Sequence, residues 1–453
     1  MGVKNLIKSE ESDISNIFNM FRKRKFEGYT GQAVKNSTYQ FMTNAVGKIG
    51  SLIFTIIIAR LLMPELFGLY SLALSTILLL GCFSDLGINK TLMRYLPENI
   101  RKRDLKKTKA YFIHLFKLKS ILIIFSAILI LALSKFISQT YYQKPIFLAL
   151  LAGSLYIIFI GFLTFIDFIF YSTNKFKYVF YKEIVLQFLR IIIVPIAILL
   201  TLKYSFEKGL SIFTIILASS LTYFLVLIPF TLFFIKKTSF LKEKYSKLTK
   251  KEKKSINKFI IPLSATVLSG IFFGYVDIVI LGRFVLAEYI GYYKAAFSLI
   301  GALIPLVGFS AVLLPIFSTL KGKRLERGLN KSIRIVAILA ILGTIFTIFL
   351  SSPVIKLIFG SEYYPAINLL RILSILLIAL PISNIYDSYF ISKGKTKLIA
   401  ILILISLGIN IILNYFLISW LINYSFNLAT IGAAIATIIS RYFYLFALMF
   451  YRK

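Results

Sequence analysis

The sequence contains very little of the chemistry that metal centres, disulfide frameworks and nucleotide-driven pumps require. It has one cysteine, Cys82, and one histidine, His114, in 453 residues. A disulfide framework needs paired cysteines and a conventional Cys/His metal site needs several such ligands, so both are excluded. The GxxxxGK[ST] pattern of a nucleotide-binding loop is also missing, which argues against transport driven by ATP on this chain. We therefore expect no cofactor.

Charge is scarce and mostly of one sign. Charged residues make up 16% of the chain, with 53 Lys and Arg against 18 Asp and Glu, and the net charge is +35. An average soluble domain is about 25% charged. The basic residues cluster in alternate loops between apolar runs, which is typical of a membrane protein. Membrane lipids are therefore the expected partners of these loops, and nucleic acid is not.

Long apolar runs fill most of the remaining sequence. Hydrophobic residues make up 58% of the chain, and runs of about 20 residues, the length that crosses a bilayer as a helix, recur from Tyr39 to Met449. The pattern predicts an all-α polytopic membrane protein with about twelve transmembrane helices. They are expected near residues 39–61, 67–90, 112–135, 146–170, 179–202, 211–235, 259–281, 290–319, 333–351, 367–391, 398–420 and 428–450. The positive-inside rule places both termini in the cytoplasm, and the polar N-terminal segment has no signal-peptide pattern.

The two halves of the chain repeat one another. "ARLLMPELFGLYSLALSTI" (59–77) matches "GRFVLAEYIGYYKAAFSLI" (282–300) at an offset of 223 residues, and "IDFIFYSTNKFK" (166–177) matches "YDSYFISKGKTK" (386–397) at an offset of 220. The sequence therefore predicts a duplicated six-helix unit. Two such units insert in the same orientation, an architecture that recurs in alternating-access transporters.

This organisation divides the chain into four segments. Residues 1–37 are expected to form a basic cytoplasmic segment, 38–235 the N-lobe with helices 1–6, 236–258 a basic cytoplasmic linker, and 259–453 the C-lobe with helices 7–12. A duplicated chain supplies both lobes itself, and its oligomeric state is left open.

The repeated blocks also resemble a known family. "ARLLMPELFGLYSLA" followed by "FSDLGINKTLMRYLPE" is similar to the N-terminal signature of the polysaccharide-biosynthesis flippases (Wzx-type), and "FGSEYYPAINLLRILSI" and "IGAAIATIISR" resemble their second half. The resemblance implies the fold of the multidrug/oligosaccharidyl-lipid/polysaccharide exporter superfamily, with two lobes around a central cavity. It also implies flipping of a polyprenyl-(di)phosphate-linked oligosaccharide between membrane leaflets.

Several charged and polar residues interrupt the apolar spans. A charge facing lipid at mid-bilayer costs about 2.5–3.5 kcal/mol on insertion scales, so such residues are expected to face the protein interior. In the first span Asn44 and Lys48 share a polar face with Gln40, Ser51 and Thr55, and in the eighth span Lys294 begins a similar stripe. Both lysines are predicted to line a cavity; the alternatives are an ion pair or a head that reaches the membrane surface.

Arg190 is the deepest charge and has two interpretations. A guanidinium donates in a fork that suits phosphate, but Glu183 lies on the same face of the fifth span and an ion pair with it is an equal alternative. The repeat equivalent of Arg190 is Asn410, which shares a stripe with Asn414 and is also a candidate cavity residue.

Asp277 in the seventh span is predicted either to bind Na⁺ or a proton and couple transport to a gradient, or to neutralise Lys48 or Lys294. Asp85, on the second span, has the same two candidate roles of ion coupling and charge balance. Lys90 and Arg94 at the predicted cytoplasmic mouth could attract a lipid phosphate or could simply follow the positive-inside rule.

Other polar residues are expected to be structural. Arg60 and its repeat equivalent Arg283 fall at outer helix ends and are expected to fix loops. The repeat-related Asp167 and Asp387 lie near cytoplasmic helix ends and favour pairing or turn roles.

Three functions remain open from the sequence. The first is a lipid-linked oligosaccharide flippase of the cell (plasma or inner) membrane, driven by a Na⁺ or H⁺ gradient. The second is a cation-coupled exporter of small organic molecules in the same fold, although such exporters favour acidic cavities. The third is a membrane glycosyltransferase or ligase, which is disfavoured because no outer loop exceeds about fifteen residues and such enzymes use larger ones. The chain is therefore not expected to be an enzyme.

Overall fold

The computed structural model describes residues 28–308 and 322–452, together with Leu313, Phe317 and Leu320. Within these residues the chain forms thirteen α-helices and no strand. They are α1 Gly28–Leu80, α2 Ile88–Arg101, α3 Leu105–Lys135, α4 Phe147–Ser172, α5 Phe176–Lys203, α6 Lys208–Lys237, α7 Lys250–Phe284, α8 Ala287–Val307, α9 Gly322–Ile358, α10 Ala366–Leu373, α11 Leu376–Ser392, α12 Thr396–Leu421 and α13 Phe426–Phe450.

Twelve membrane crossings follow from these helices. Eleven segments of the described chain are long and apolar enough to cross a bilayer, and one of them contains two crossings because α1 bends sharply at Met63 (φ 58°, ψ 170°). Pro64 explains the bend, since it has no N–H for the helical hydrogen bond and its ring clashes with the preceding turn. The prediction of an all-α polytopic protein with about twelve spans is confirmed.

Two helix limits differ from the sequence prediction. The second crossing ends at Leu80 and not near residue 90, because a 3-10 turn follows and Leu86 and Gly87 adopt left-handed conformations (φ 40° and 85°). The first helix already begins at Gly28, inside the segment predicted as a cytoplasmic extension; residues 1–27 of that segment lie outside the described part.

The linker between the lobes is shorter than predicted. Its irregular part covers residues 238–249, with a short 3-10 turn at Ser239–Lys242, and α7 already begins at Lys250. Thr249 and Glu252 form a reciprocal capping box at the start of α7. Lys109 donates hydrogen bonds to the carbonyls of Leu241 and Glu243 at 2.8 and 2.7 Å, which attaches the linker to the N-lobe.

We refer to helices α1–α6 as the N-lobe and to α7–α13 as the C-lobe, following the duplication in the sequence. A continuous apolar core joins the lobes where α1 and α2 pack against α7 and α8, and a smaller one lies within the C-lobe. Below, the basic end is the end of the bundle that carries the linker of residues 238–249, and the opposite end carries the bend at Met63. These two ends define the axis along which the site is described.

Candidate functional site

The lobes meet backbone to backbone at the opposite end. Gly68 of α1 lies so close to α8 that a Cβ atom there would come within 1.7 Å of the Ala287 carbonyl oxygen, and a Cβ on Gly291 would come within 2.3 Å of the Pro64 carbonyl oxygen. Gly68 and Gly291 are equivalent residues of the two repeats. Small residues permit such close helix approach in membranes, so the duplicated glycines hold the lobes together at this end.

Repeat-equivalent arginines reinforce the same closure. Arg60 donates to the carbonyls of Leu357 and Ile358, the latter at 2.7 Å, at the end of α9 in the other lobe. Arg283 donates to the carbonyl of Tyr141 at 2.7 Å, at the end of the third crossing of the N-lobe. Each arginine therefore caps the third crossing of the opposite repeat, where helix carbonyls lack intrahelical partners. This agrees with the expected loop-fixing role and adds a contact between lobes.

Two further hydrogen bonds join the lobes at this level. Tyr363 donates to the carbonyl of Ala59 at 2.8 Å, and Lys144 donates to the carbonyl of Gly282 at 2.7 Å. Burial and the neighbouring Arg283 guanidinium lower the pKa of Lys144 to about 8. We call the contacts of Arg60, Gly68, Lys144, Arg283, Gly291 and Tyr363 the opposite-end closure.

Most contacts at the basic end are made by side chains, and Gly87 approaches α7 so closely that a Cβ atom there would come within 2.7 Å of the Leu263 Cβ atom. The Tyr95 and Ser255 hydroxyls lie 3.1 Å apart and Lys107 pairs with Glu252 at 3.0 Å, in both cases between the N-lobe and the first turns of α7. Arg94 packs its guanidinium 4.2 Å from the centre of the Phe259 ring. Exposed Lys107 and the hydroxyl pair are weak links by comparison with a backbone contact.

Between the two ends, parts of α7 and α8 border open space. A Cβ atom on Gly270, Gly274 or Gly301 would meet no atom within 4 Å. Lys294 lies two turns before Gly301, on the polar stripe of α8 that the sequence predicts. It is half-buried, and its ammonium lies 6.0 Å from the centre of the Tyr275 ring. This uncovered surface of α7 and α8 therefore carries glycines and one lysine.

Arg190 lies in the N-lobe among aromatic rings. Its guanidinium stacks 3.6 Å from the centre of the Phe54 ring, and Tyr70, Tyr156 and Tyr223 are its polar neighbours, with the Tyr70 hydroxyl in hydrogen-bonding reach. The Nε atom is buried with no hydrogen-bond partner among the described residues.

Arg190 is not paired with Glu183. That carboxylate instead accepts hydrogen bonds from Lys182 at 3.0 Å and Gln187 at 2.7 Å, and no carboxylate of the described chain lies within ion-pair distance of Arg190. Lys294 interacts electrostatically with Arg190 across the lobes. Two cations thus share one region with no acid between them, which suits a bound anion.

Asp277 lies in a separate polar cluster within the C-lobe. Its carboxylate, 4% exposed, accepts hydrogen bonds from Tyr293 at 2.7 Å, Thr437 at 2.6 Å and Asn414 at 2.8 Å. Asn410 donates to Thr437 at 3.3 Å and is fully buried, so it belongs to this cluster and does not face the open space. Neither Lys48 nor Lys294 forms an ion pair with Asp277.

The Asp277 cluster has the donor set of a site for a small hard cation. The Oδ1 atoms of Asn410 and Asn414 are buried acceptors with no partner among the described residues. Carboxylate, amide and hydroxyl oxygens are the ligands that such cations prefer. Asp277 is the single carboxylate of the group, and the nearby Arg441 guanidinium, 3.7 Å from the centre of the Phe273 ring, interacts electrostatically with it. This charge balance suits a monovalent ion or a proton better than a divalent metal.

The two polar sites occupy equivalent places in the two repeats. The offset of 223 residues places Tyr70 on Tyr293 and Phe54 on Asp277, and the offset of 220 places Arg190 on Asn410. In each lobe the first, second and fifth crossings therefore converge on one point. The N-lobe uses that point for a cation over an aromatic ring and the C-lobe uses it for a carboxylate among hydrogen-bond donors.

The other sequence candidates lie apart from these two sites. Asn44 and Lys48 are exposed on α1. Asp85 lies below the helix break, accepts a hydrogen bond from Lys119 at 3.2 Å and caps the start of α2, which favours its charge-balancing role. Lys90 is exposed beside Arg94 at the basic end.

Asp167 and Asp387 have the structural contacts expected from the sequence. Asp167 pairs with Lys182 at 2.9 Å, in place of the nearby Lys175. Asp387 accepts a hydrogen bond from Tyr444 at 2.5 Å. Both contacts connect neighbouring helices within one lobe.

Sequence reasoning missed four residues of these clusters. Tyr156 and Tyr223 beside Arg190 were indistinguishable from the tyrosines of an aromatic belt. Thr437 carries no charge, so it was not singled out from the other small polar residues of α13. Lys119 lies within an apolar run, where a buried lysine itself signals a carboxylate partner.

Comparison with known proteins places this architecture in a family. Residues 33–321 match the family described as polysaccharide biosynthesis protein, whereas comparison with curated proteins yields no match. An inward-facing multidrug-resistance MATE transporter of the MOP superfamily aligns with a TM-score of 0.72 at 16% identity, over 89% of this chain and 94% of that one. The lipid II flippase MurJ in an inward closed conformation aligns with a TM-score of 0.68 at 20% identity, over 92% and 87%. A MATE bound to MaL6 aligns with a TM-score of 0.55 at 16% identity, over 92% and 95%. The structures share the fold, and the match over most of the chain shows that this multi-pass membrane protein belongs to the polysaccharide biosynthesis family.

Proposed function

We propose that the protein flips a polyprenyl-(di)phosphate-linked oligosaccharide from the cytoplasmic to the outer leaflet of the cell membrane by alternating access. In this proposal the basic end faces the cytoplasm, in agreement with the positive-inside rule. The supporting observation is that Arg190 and Lys294, from different lobes, lie near enough to interact electrostatically and have no ion-pair partner among the described residues.

This arrangement suits a phosphate headgroup. A guanidinium donates in a planar fork and an ammonium acts as a compact charge, and both form strong charge-assisted hydrogen bonds with phosphate oxygens. The hydroxyls of Tyr70, Tyr156 and Tyr223 add neutral donors and acceptors that suit a phosphate or a sugar hydroxyl. Because Arg190 and Lys294 belong to different lobes, a phosphate bound by both would bridge them and offset the repulsion between two cations.

The opposite-end closure supports the alternating-access part of the proposal. In the conformation described here the lobes are joined at the opposite end by the close approach of Gly68 and Gly291, and at the basic end by side-chain contacts and the approach of Gly87 to Leu263. Release to the outer leaflet requires Gly68 and Gly291 to separate and the two arginine caps to break. We propose that Asp277 supplies the coupling to a Na⁺ or H⁺ gradient, since its cluster is buried and lies on the same helix as the glycines that border the open space.

A cation-coupled exporter of small organic molecules is the second candidate, and the likeness of the fold to MATE transporters favours it. The charge of the site distinguishes the two. A drug cation would have to bind beside Arg190 and Lys294, and like charges in a low-dielectric site repel strongly.

Proteoliposomes containing a polyprenyl-phosphate glycan test the proposal. The assay measures how fast an added lectin gains access to glycan that started in the inner leaflet. We expect the glycan to become accessible to lectin rapidly with the wild-type protein and to stay inaccessible with Arg190→Ala. Arg101→Ala is the matched control, because it removes the same charge from an exposed arginine at the end of α2, and it should have no effect. If the wild-type protein does not flip the glycan lipid but exports an organic cation, the protein is an exporter and the flippase proposal is wrong.

A further inference from the structure

A polar pocket lies at the opposite end of the C-lobe, away from both sites described above. It has a volume of about 240 Å³ and is formed by the end of α9, the first turns of α10 and the start of α13. Its polar lining comes from Ser352, Tyr364, Asn368, Arg371 and Asn427. A water molecule occupies about 30 Å³ of the liquid, so the pocket has room for a phosphate group and part of the group attached to it.

The pocket lining is rich in hydrogen-bond donors and contains no carboxylate. Arg371 is held in place by hydrogen bonds from its Nε to Ser351 Oγ at 2.8 Å and from Nη1 to Asn368 Oδ1 at 3.5 Å. The Nη2 group remains without a partner among the described residues, as does the side-chain amide of Asn427. A fixed guanidinium that keeps free N–H groups, beside two amides and a tyrosine hydroxyl, recognises a phosphate.

The position of the pocket along the membrane axis matches a lipid headgroup. Arg371 follows Pro365 by six residues, so it lies about 9 Å below the start of α10 at 1.5 Å per residue. The polar region on each side of the hydrocarbon core is about 5–8 Å thick. Arg371 therefore lies near the start of the crossing formed by Ala366–Ser392, close to the opposite end of the molecule.

The repeat shows that the pocket is not required by the fold. At the offset of 220 residues Arg371 corresponds to Leu151 and Asn368 to Leu148. The N-lobe therefore builds the same helix turn from apolar residues. If the fold required an arginine at this turn, both lobes would have one. Only the C-lobe has an arginine there.

We propose that this pocket binds the phosphate of a lipid headgroup in the outer leaflet. The pocket adjoins the opposite-end closure, because Tyr364 follows the tyrosine bonded to Ala59, and Ser352 lies on the helix whose last carbonyls accept from Arg60. A headgroup bound there therefore contacts the segments that separate when the lobes open. The phosphate can belong to a resident phospholipid or to a polyprenyl phosphate, and the chemistry of recognition is the same.

Native mass spectrometry of the purified full-length protein tests this. The probes are phosphatidylglycerol, polyprenyl monophosphate and diacylglycerol, which has the acyl chains without the phosphate. We expect both phosphate lipids to be retained in preference to diacylglycerol, and Arg371→Leu, which copies the residue of the other repeat, to weaken retention at least about tenfold. Asn427→Ala should weaken it less, and Lys203→Leu, which removes an exposed charge at the same end of the N-lobe, should not weaken it.

The outcomes separate the possible explanations. Stronger retention of phosphatidylglycerol assigns the pocket to resident phospholipid, and stronger retention of polyprenyl phosphate assigns it to a lipid of the cargo class. The proposal is overturned if diacylglycerol is retained equally well, if Arg371→Leu has no effect, or if Lys203→Leu weakens retention as much. The pocket does not depend on the proposed flipping, which the lectin assay measures separately.

Discussion

Replacing Gly68 by alanine should open the end of the molecule that the two repeats close. The added methyl would lie 1.7 Å from the Ala287 carbonyl oxygen. Carbon and oxygen atoms in close helix contacts are about 3.3 Å apart, so the helices must move apart by about 1.6 Å. Both partners are backbone or backbone-attached atoms, so no side-chain rotation relieves the overlap.

The size of the effect follows from packing energetics. Inserting a methyl group into a tightly packed contact costs about 1–3 kcal/mol. If the cost applies to the closed conformation alone, it shifts the closed–open equilibrium about 5- to 150-fold toward opening. Gly291→Ala should act in the same direction but less strongly, because its methyl would lie 2.3 Å from the Pro64 carbonyl oxygen.

Pulsed electron paramagnetic resonance measures this opening. Spin labels at Lys203→Cys and Asn423→Cys, both exposed at the opposite end, report the distance between lobes in a Cys82→Ser background. We expect Gly68→Ala to populate longer distances than the wild type. Gly408→Ala is the matched control, because a Cβ atom there would meet nothing within 4 Å. An unchanged distance distribution in correctly folded Gly68→Ala protein would refute the role of the glycine contact.

Three further predictions concern the charged groups. Arg190→Ala and Lys294→Ala should each lower complementation of the host's glycan phenotype while the proteins still insert, with about a tenfold to hundredfold loss of flipping rate for Arg190→Ala if it binds phosphate. Full activity of both single variants and of the double variant would rule out a cationic cavity. Asp277→Asn should weaken the dependence of flipping on a Na⁺ or pH gradient, measured in proteoliposomes with imposed gradients, and an unchanged dependence would remove Asp277 from coupling. Raising the pH from about 8 to about 10.4 should favour the closed opposite end, because burial and Arg283 lower the pKa of Lys144 to about 8 whereas an exposed lysine has a pKa of about 10.4. Between these two pKa values the open state binds more protons than the closed state, so the closed state gains stability as the pH rises. Lys144→Met removes the titrating group and should therefore flatten the pH dependence of the spin-label distances.

The sequence was most informative where the duplication or the apolar periodicity carried the signal. Apolar runs predicted about twelve crossings because a helix needs a fixed number of apolar residues to span the bilayer. The matched arginines Arg60 and Arg283 suggested a structural role. The sequence did not predict that each arginine caps a helix of the other repeat. Similarity between two repeats shows which residues are equivalent, but it does not show which residues of the two repeats come into contact.

The candidate site was predicted only in part for a related reason. Periodicity along one helix predicts which residues share a face, but not which residues of other helices meet that face. Arg190 and Lys294 were identified as charges in apolar spans, whereas Tyr156 and Tyr223 carry no signal on their own helices. Asn410 was placed in the cavity because its repeat equivalent is Arg190, and the structure buries it beside Asp277 instead.

Helix limits at Leu86 and Gly87 show a third source of error. The apolar pattern continues through this segment, so it predicts one helix to residue 90, but the left-handed backbone at these two residues ends it earlier. A glycine in an apolar span is compatible with either outcome. The shorter helix leaves room for the ion pair between partly exposed Asp85 and buried Lys119.

The most direct test of the central proposal is mass spectrometry of polyprenyl-linked glycans extracted from cells depleted of this protein. The proposal predicts that one complete lipid-linked oligosaccharide accumulates on the cytoplasmic leaflet, and that the wild-type protein clears it whereas Arg190→Ala does not. Unchanged lipid-linked glycans after depletion would contradict a flippase, and a truncated glycan would indicate an enzyme of glycan assembly.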